Sequence, residues 1–173
     1  YANKGVYNAP MMVTKIEDKY GNVLANFYPE SREVITENTA FLMANLLQGV
    51  VDEGTGRRLR FRYGFKNQIG GKTGTTQNHS DGWFIGITPD LAGGVWVGAE
   101  DRSIHFQNLA NGQGASMALP IWALFMQKVY VDKSLAVPQS DFQKPNGLNH
   151  VLDCGDADRE GMTDYDSSDE IFD

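Results

Sequence analysis

Apolar and polar residues change their spacing several times along this 173-residue chain, and each change marks an element. Pro10 to Ile16 and Val23 to Tyr28 have strand-like spacing around Asp18-Lys19-Tyr20-Gly21-Asn22, which predicts a hairpin turning at Gly21. Ala40, Met43, Ala44, Leu47, Val50 and Val51 then follow the i, i+3, i+4, i+7 rhythm of one helix face. Thr36 stands where that helix needs a cap, and Gly54 stops it just after Asp52. Two apolar-rich runs, Asp81 to Ile87 and Leu91 to Ala99, flank the turn Thr88-Pro89-Asp90. With the stretch that ends near Thr75, they predict three short antiparallel strands. A last helix is expected over about Met117 to Val131, with Pro120 in its first turn. Trp122, Phe125, Met126 and Val129 should pack it across the sheet. Pro138 and Pro145 mark a change to irregular chain, and no internal repeat is visible. The pattern is an α+β fold, an antiparallel sheet with helices on one face.

Charge divides the chain. From His150 to Asp173 the net charge is −8, which leaves Tyr1 to Asn149 near +1. The end is read as a solvated acidic terminus, part of an irregular extension over 134–173 that follows a folded body over 1–133. Asp156, Asp158 and Glu160 alternate as in a calcium loop, but Gly161 and Asp164 misplace its glycine and closing carboxylate. His79, His105 and His150 lack ligand spacing, and the single Cys154 excludes an internal disulfide or a Cys-based zinc site. Neither a metal nor a cofactor is expected. No run approaches the roughly 18 apolar residues of a membrane span, so this stretch is expected to make no membrane contact.

The chemistry gathers in Gly71-Lys72-Thr73-Gly74-Thr75-Thr76. Lysine supplies a positive charge and threonine hydroxyls can hydrogen-bond a carboxylate. A strand glycine lets a ligand backbone approach the edge and pair with it. The N–H of Thr75 can donate to a developing oxyanion. The Gly-Lys-Thr triplet also mimics the end of a P-loop, but Lys66 stands where that loop needs glycine, and a strand follows instead of a helix. Arg57, Arg58, Arg60, Arg62 and Lys66, interleaved with Phe61, Tyr63 and Phe65, form a basic segment without any nucleic-acid-binding motif. It is read as a solvated loop. Asp81, beside Trp83, is read as the anchor of the turn before it.

Lys72 to Gln77, then Asp81 to Asp90, then Gly94-Val95-Trp96-Val97-Gly98, closely resemble the C-terminal half of a penicillin-binding protein transpeptidase domain of the class A, bifunctional type. The likeness runs from Tyr1 to about Tyr130, including the opening Tyr1-Ala2-Asn3-Lys4-Gly5-Val6-Tyr7 and Pro120-Ile121-Trp122. The resemblance implies the penicillin-binding protein and serine beta-lactamase-like fold. It implies a D,D-transpeptidase at the periplasmic side of the inner membrane, anchored by an N-terminal segment, that cross-links peptidoglycan stem peptides and is trapped by beta-lactams. In that scheme Lys72 and Thr75 are catalytic, and Thr73, Gly74 and Thr75 bind substrate. The basic segment lies near the cleft, and its ligand would be peptidoglycan instead of nucleic acid.

Such enzymes use a Ser-x-x-Lys and a Ser-x-Asn motif, and no serine of this sequence begins either. The chain is therefore expected to be a fragment that is inactive alone, its opening residues the end of a helix and its partner the missing N-terminal half. Two alternatives stay open: a serine beta-lactamase or carboxypeptidase with the same motif, and a noncatalytic module that binds a peptide along the sheet edge.

Overall fold

The computed structural model describes residues 1–148; the acidic stretch from His150, with Cys154 and the calcium-loop pattern, lies outside the described residues. Three sheets form. β1 (Val6–Asn8) pairs antiparallel with β4 (Ser31–Glu33), and β2 (Lys15–Glu17) with β3 (Val23–Asn26). The hairpin predicted at Gly21 is therefore present but shorter. Gly21 takes φ +88°, and the Asp18 carboxylate accepts the N–H groups of Tyr20 and Asn22. The Asn22 side-chain amide and those backbone bonds hold the Asp18 carboxyl below its usual range. The opening residues are not a helix end. They turn through Lys4 and Gly5, both at positive φ, and enter β1. That small sheet has no apolar alternation to announce it, since all its residues are exposed.

Helix α1 (Glu37–Asp52) is capped by the Thr36 hydroxyl, which accepts the N–H of Thr39 at 3.2 Å. Ala40, Ala44 and Val51 are its buried residues. A short helix α2 (Arg58–Phe61) buries Leu59 beneath it. The main sheet follows, β5 (Gly70–Thr75), β6 (Gly82–Ile87) and β7 (Ala92–Val97), antiparallel in that order. After the one-turn α3 (Leu109–Gly112), helix α4 (Gly114–Val131) crosses β6 and β7.

Register explains how α4 lies so close. Gly71, Thr73 and Thr75 share one face with Gly82, Phe84, Gly86, Gly93, Val95 and Val97. Side chains of α4 occupy the space those glycines leave: Met117 over Gly82, Trp122 over Gly86 and Gly93. Trp122 meets Phe84 edge-on, with ring centroids 5.4 Å apart. Gly70 points to the opposite face, where Ala44 and Leu47 of α1 fill its place. Helices thus approach the sheet from both sides, not from one as the pattern predicts.

Two expectations for α4 are corrected. It begins at Gly114, so Pro120 lies in the second turn instead of the first. Phe125 does not pack on the sheet; it is 57% exposed, on the outer face with Ile121 and Leu124. The buried stripe runs through Ala118, Leu119, Trp122, Ala123 and Met126, which leaves position 125 turned away. After α4 the chain folds back, and the N–H of Phe142 donates to the Gln68 side chain at 2.8 Å.

Trp122→Ala should destabilise the chain by about 3–5 kcal/mol, because the cavity opens over strand glycines that cannot fill it. Phe125→Ala should stay within about 0.5 kcal/mol. Urea denaturation of both variants distinguishes the buried face from the exposed one.

Candidate functional site

β5 is an edge strand, hydrogen-bonded to β6 alone among the described residues. Its register pairs Thr75 with Gly82, and the N–H of Thr76 extends the ladder by donating to the Asp81 carbonyl at 3.1 Å. Antiparallel pairing alternates, so the N–H and C=O groups of Thr73 and Thr75 turn to the open edge. Those of Lys72 and Gly74 turn inward to β6.

Side chains alternate as well. Lys72 and Gly74 share a face with Trp83, Ile85 and Trp96, while Thr73 and Thr75 point to the α4 face. The exposed Lys72 ammonium reaches around the edge and donates to the Thr73 carbonyl at 2.7 Å. The Thr73 hydroxyl shares a 2.8 Å hydrogen bond with Thr55, in the turn after α1. The Thr75 oxygen accepts the N–H of Gly114, the first residue of α4, at 3.0 Å. With that lone pair engaged, the Thr75 hydroxyl keeps its proton to donate elsewhere. Lys72, Thr73, Gly74 and Thr75 therefore lie along one edge, though on alternate faces. An extended ligand along it meets backbone donors and acceptors, an ammonium and hydroxyls.

The strand's far end is pinned by a polar knot. Asp81 accepts from the hydroxyls of Thr76 at 3.1 Å and Ser80 at 3.2 Å, and from the Trp96 indole N–H at 3.2 Å. The Thr76 oxygen in turn accepts the N–H of Asp81 at 3.0 Å. Asn78 and His79 adopt left-handed conformations inside this turn. Asp81 is the turn anchor that the sequence indicates, and through Trp96 it also ties β5's turn to β7. Ser80 is buried, its hydroxyl donating to the Asp81 carboxylate within this knot, and among the described residues no histidine bonds it.

The basic segment is not one solvated loop. Arg58 donates from the same guanidinium nitrogen to the Ala115 carbonyl and the Ser116 hydroxyl, both at 2.8 Å, locking α2 to the start of α4. Arg60 binds Asp52 and the carbonyls of Phe65 and Asn67, which shapes the approach to β5. Only Arg57, Arg62 and Lys66 of the five cations are exposed. Two residues at the site escape the sequence reading: Thr55 and Gly114. A lone threonine and a helix-starting glycine carry no signal until the fold brings them to β5. No helix among the described residues is long and apolar enough to cross a membrane.

The Penicillin binding protein transpeptidase domain family matches residues 1–115. Penicillin-binding protein 1A of Aquifex aeolicus is 34% identical over 145 residues, 84% of this chain and 19% of that protein. Penicillin-binding protein 1A of Clostridium novyi is 30% identical over 148 residues, 86% of this chain and 16% of that protein. The chain thus spans under a fifth of the length of these two curated relatives. Among solved structures, penicillin-binding protein 1A from Haemophilus influenzae superposes with a TM-score of 0.70 at 24% identity, covering 84% of this chain and 26% of that one. Penicillin-binding protein A from M. tuberculosis, an imipenem acyl-enzyme complex, superposes with a TM-score of 0.53 at 22% identity, covering 73% and 28%. Both share the fold.

Asp81→Ala should cost about 1–3 kcal/mol, because the hydroxyls of Thr76 and Ser80 and the Trp96 indole lose their common acceptor. Urea denaturation followed by tryptophan emission reads the loss. Asp81→Asn, which keeps an acceptor oxygen, should cost less.

Proposed function

The chain belongs to the penicillin-binding protein transpeptidase family, and from that premise we propose that β5 is the substrate strand of a peptidoglycan D,D-transpeptidase. The observation that carries the reading is the open edge of β5, with the Thr75 N–H turned outward and the Lys72 ammonium beside it. Lys72 stabilises negative charge at the reacting centre, and the Thr75 N–H forms half of an oxyanion hole. The Thr73 and Thr75 hydroxyls hold the substrate carboxylate, and Gly74 lets the stem peptide lie along the strand.

The nucleophile comes from residues that this sequence does not contain. A serine Oγ attacks the carbonyl of the penultimate D-alanine, its proton passing to a neighbouring base. The peptide bond breaks, D-alanine leaves with a proton, and the acyl-enzyme ester is aminolysed by a neighbouring stem-peptide amine. A beta-lactam enters the same way but leaves no departing group, so the ester persists. The protein acting as a whole would be anchored in the inner membrane, face the periplasm and carry a glycosyltransferase unit as well.

Intact-mass spectrometry tests this directly. This chain alone, incubated with benzylpenicillin, should show no covalent adduct. A hybrid in which it replaces the matching stretch of the Aquifex aeolicus relative should acquire one. An adduct on any serine of the chain alone would sink the division of labour. A folded hybrid without an adduct would favour a noncatalytic peptide-binding role.

Within that hybrid, Lys72→Ala should slow acylation about 100-fold, the scale of a lost charge-stabilising donor. Stability should change by less than about 0.5 kcal/mol, since among the described residues the exposed Lys72 ammonium bonds only the Thr73 carbonyl. Unchanged labelling would remove Lys72 from the site.

A further inference from the structure

Gly114 occupies a position that no other residue can share. At the Gly74–Trp83 pair the side chains point away from α4, which leaves bare backbone on the α4 face. The first residue of α4 sits on that backbone. A Cβ at Gly114 would collide with the carbonyl oxygens of both Trp83 and Gly74 and lie 3.2 Å from the Gly74 nitrogen. The sheet yields room in return, since a Cβ at Gly82 would lie 3.2 Å from the Gly114 Cα. The Gly114 N–H, one of the donors a helix start leaves without an intrahelical partner, goes to the Thr75 hydroxyl oxygen at 3.0 Å.

Two consequences meet at the Gly74–Thr75 peptide. Its oxygen is the one against which Gly114 packs, and its N–H is the edge donor of Thr75. A peptide unit is planar, so pushing its oxygen swings its N–H in the opposite sense. The Thr75 hydroxyl, accepting from Gly114, keeps its proton for another acceptor. We propose that Gly114 is a positioning residue for the site: it sets the plane of the Gly74–Thr75 peptide and the donor direction of the Thr75 hydroxyl. The proposal rests on the reading of β5 as the substrate strand. It makes α4, which presents no side chain to the ligand edge at this point, part of the machinery that aims the oxyanion donor. The same contact couples helix docking to the site. Arg58, which binds the Ala115 carbonyl and the Ser116 hydroxyl, steadies the helix start from the other side.

The test compares acylation by benzylpenicillin with acylation by its methyl ester, which lacks the carboxylate, in the hybrid protein described above. Gly114→Ala should slow acylation by benzylpenicillin about 100-fold, as when an oxyanion donor is lost. It should also shrink the preference for the free carboxylate about tenfold, the scale of a charge-assisted hydrogen bond. Gly93→Ala strains the α4–sheet contact at Trp122 from β7, away from Thr75, and should leave that preference within about twofold. A rate lost only in proportion to the unfolded fraction, with the preference intact, would overturn the proposal.

Should Gly114→Ala not fold, Thr75→Val in this chain reads the contact from its other end. Amide exchange at Gly114 should then accelerate about tenfold or more while that of Met126, deeper in α4, stays unchanged. Unchanged exchange at Gly114 overturns the contact on which the proposal stands. A hybrid that shows no carboxylate preference before any substitution overturns the functional reading and the proposal with it. The exchange result is independent of that reading and separates the two failures.

Discussion

Helix α4 can lie directly on the β-sheet because glycines interrupt the side chains of the face it crosses. Gly82, Gly86 and Gly93 leave a shallow bed, and Met117 and Trp122 fill it. Each close approach brings backbone and large apolar side chains together without a void, which is where core packing is most favourable. A methyl group at Gly86 would collide with the Trp122 ring, and one at Gly82 with the end of Met117. The buried cluster of Phe84, Leu119, Trp122 and Met126, joined by Val51 of α1, Leu59 of α2 and Ile69 ahead of β5, depends on that closeness.

The same constraint reaches the edge strand. Because α4 begins against the backbone of Gly74 and Trp83, the last residues of β5 are held from behind by a helix and from beyond by the Asp81 knot. The outer edge stays open. Open edges invite pairing with other chains, and natural proteins blunt them with charges. Lys72 has that effect here. A strand that is rigid on three sides and bare on the fourth suits a reaction whose catalysis is mostly aimed hydrogen bonds, since such donors must not reorganise as charge develops. On the reading proposed above, the chain supplies those donors and the cation, and the nucleophile comes from elsewhere in the protein.

Much of this was legible in the residues. The i, i+3, i+4 rhythm from Ala40 and the hydroxyl of Thr36 announce α1 because helix periodicity and capping are local physics. β6 and β7 declare themselves as apolar-rich runs separated by a Pro-Asp turn. Asp81 reads as a turn anchor because short carboxylates bond nearby hydroxyls and N–H groups. The β1–β4 pair was not legible: exposed residues such as Ser31, Arg32 and Glu33 carry no alternation, and their pairing spans more than 20 residues of chain. Phe125 misled for a related reason. Its helical spacing fits a stripe, but how wide a stripe is buried depends on what covers it.

By itself, the sequence determined the α+β class, the order of the main elements, the family resemblance and the run from Lys72 to Thr75 as the place where chemistry gathers. These depend on local propensity, periodicity and residue types standing side by side. Tertiary structure decided which edge of β5 is open, that helices approach from both sides, and that Arg58 and Arg60 are braces instead of a free basic surface. It also brought Gly114 against Gly74, 40 positions earlier in the chain. No local rule connects those two glycines. They meet because a helix seeks the one stretch of sheet with no side chains in its way.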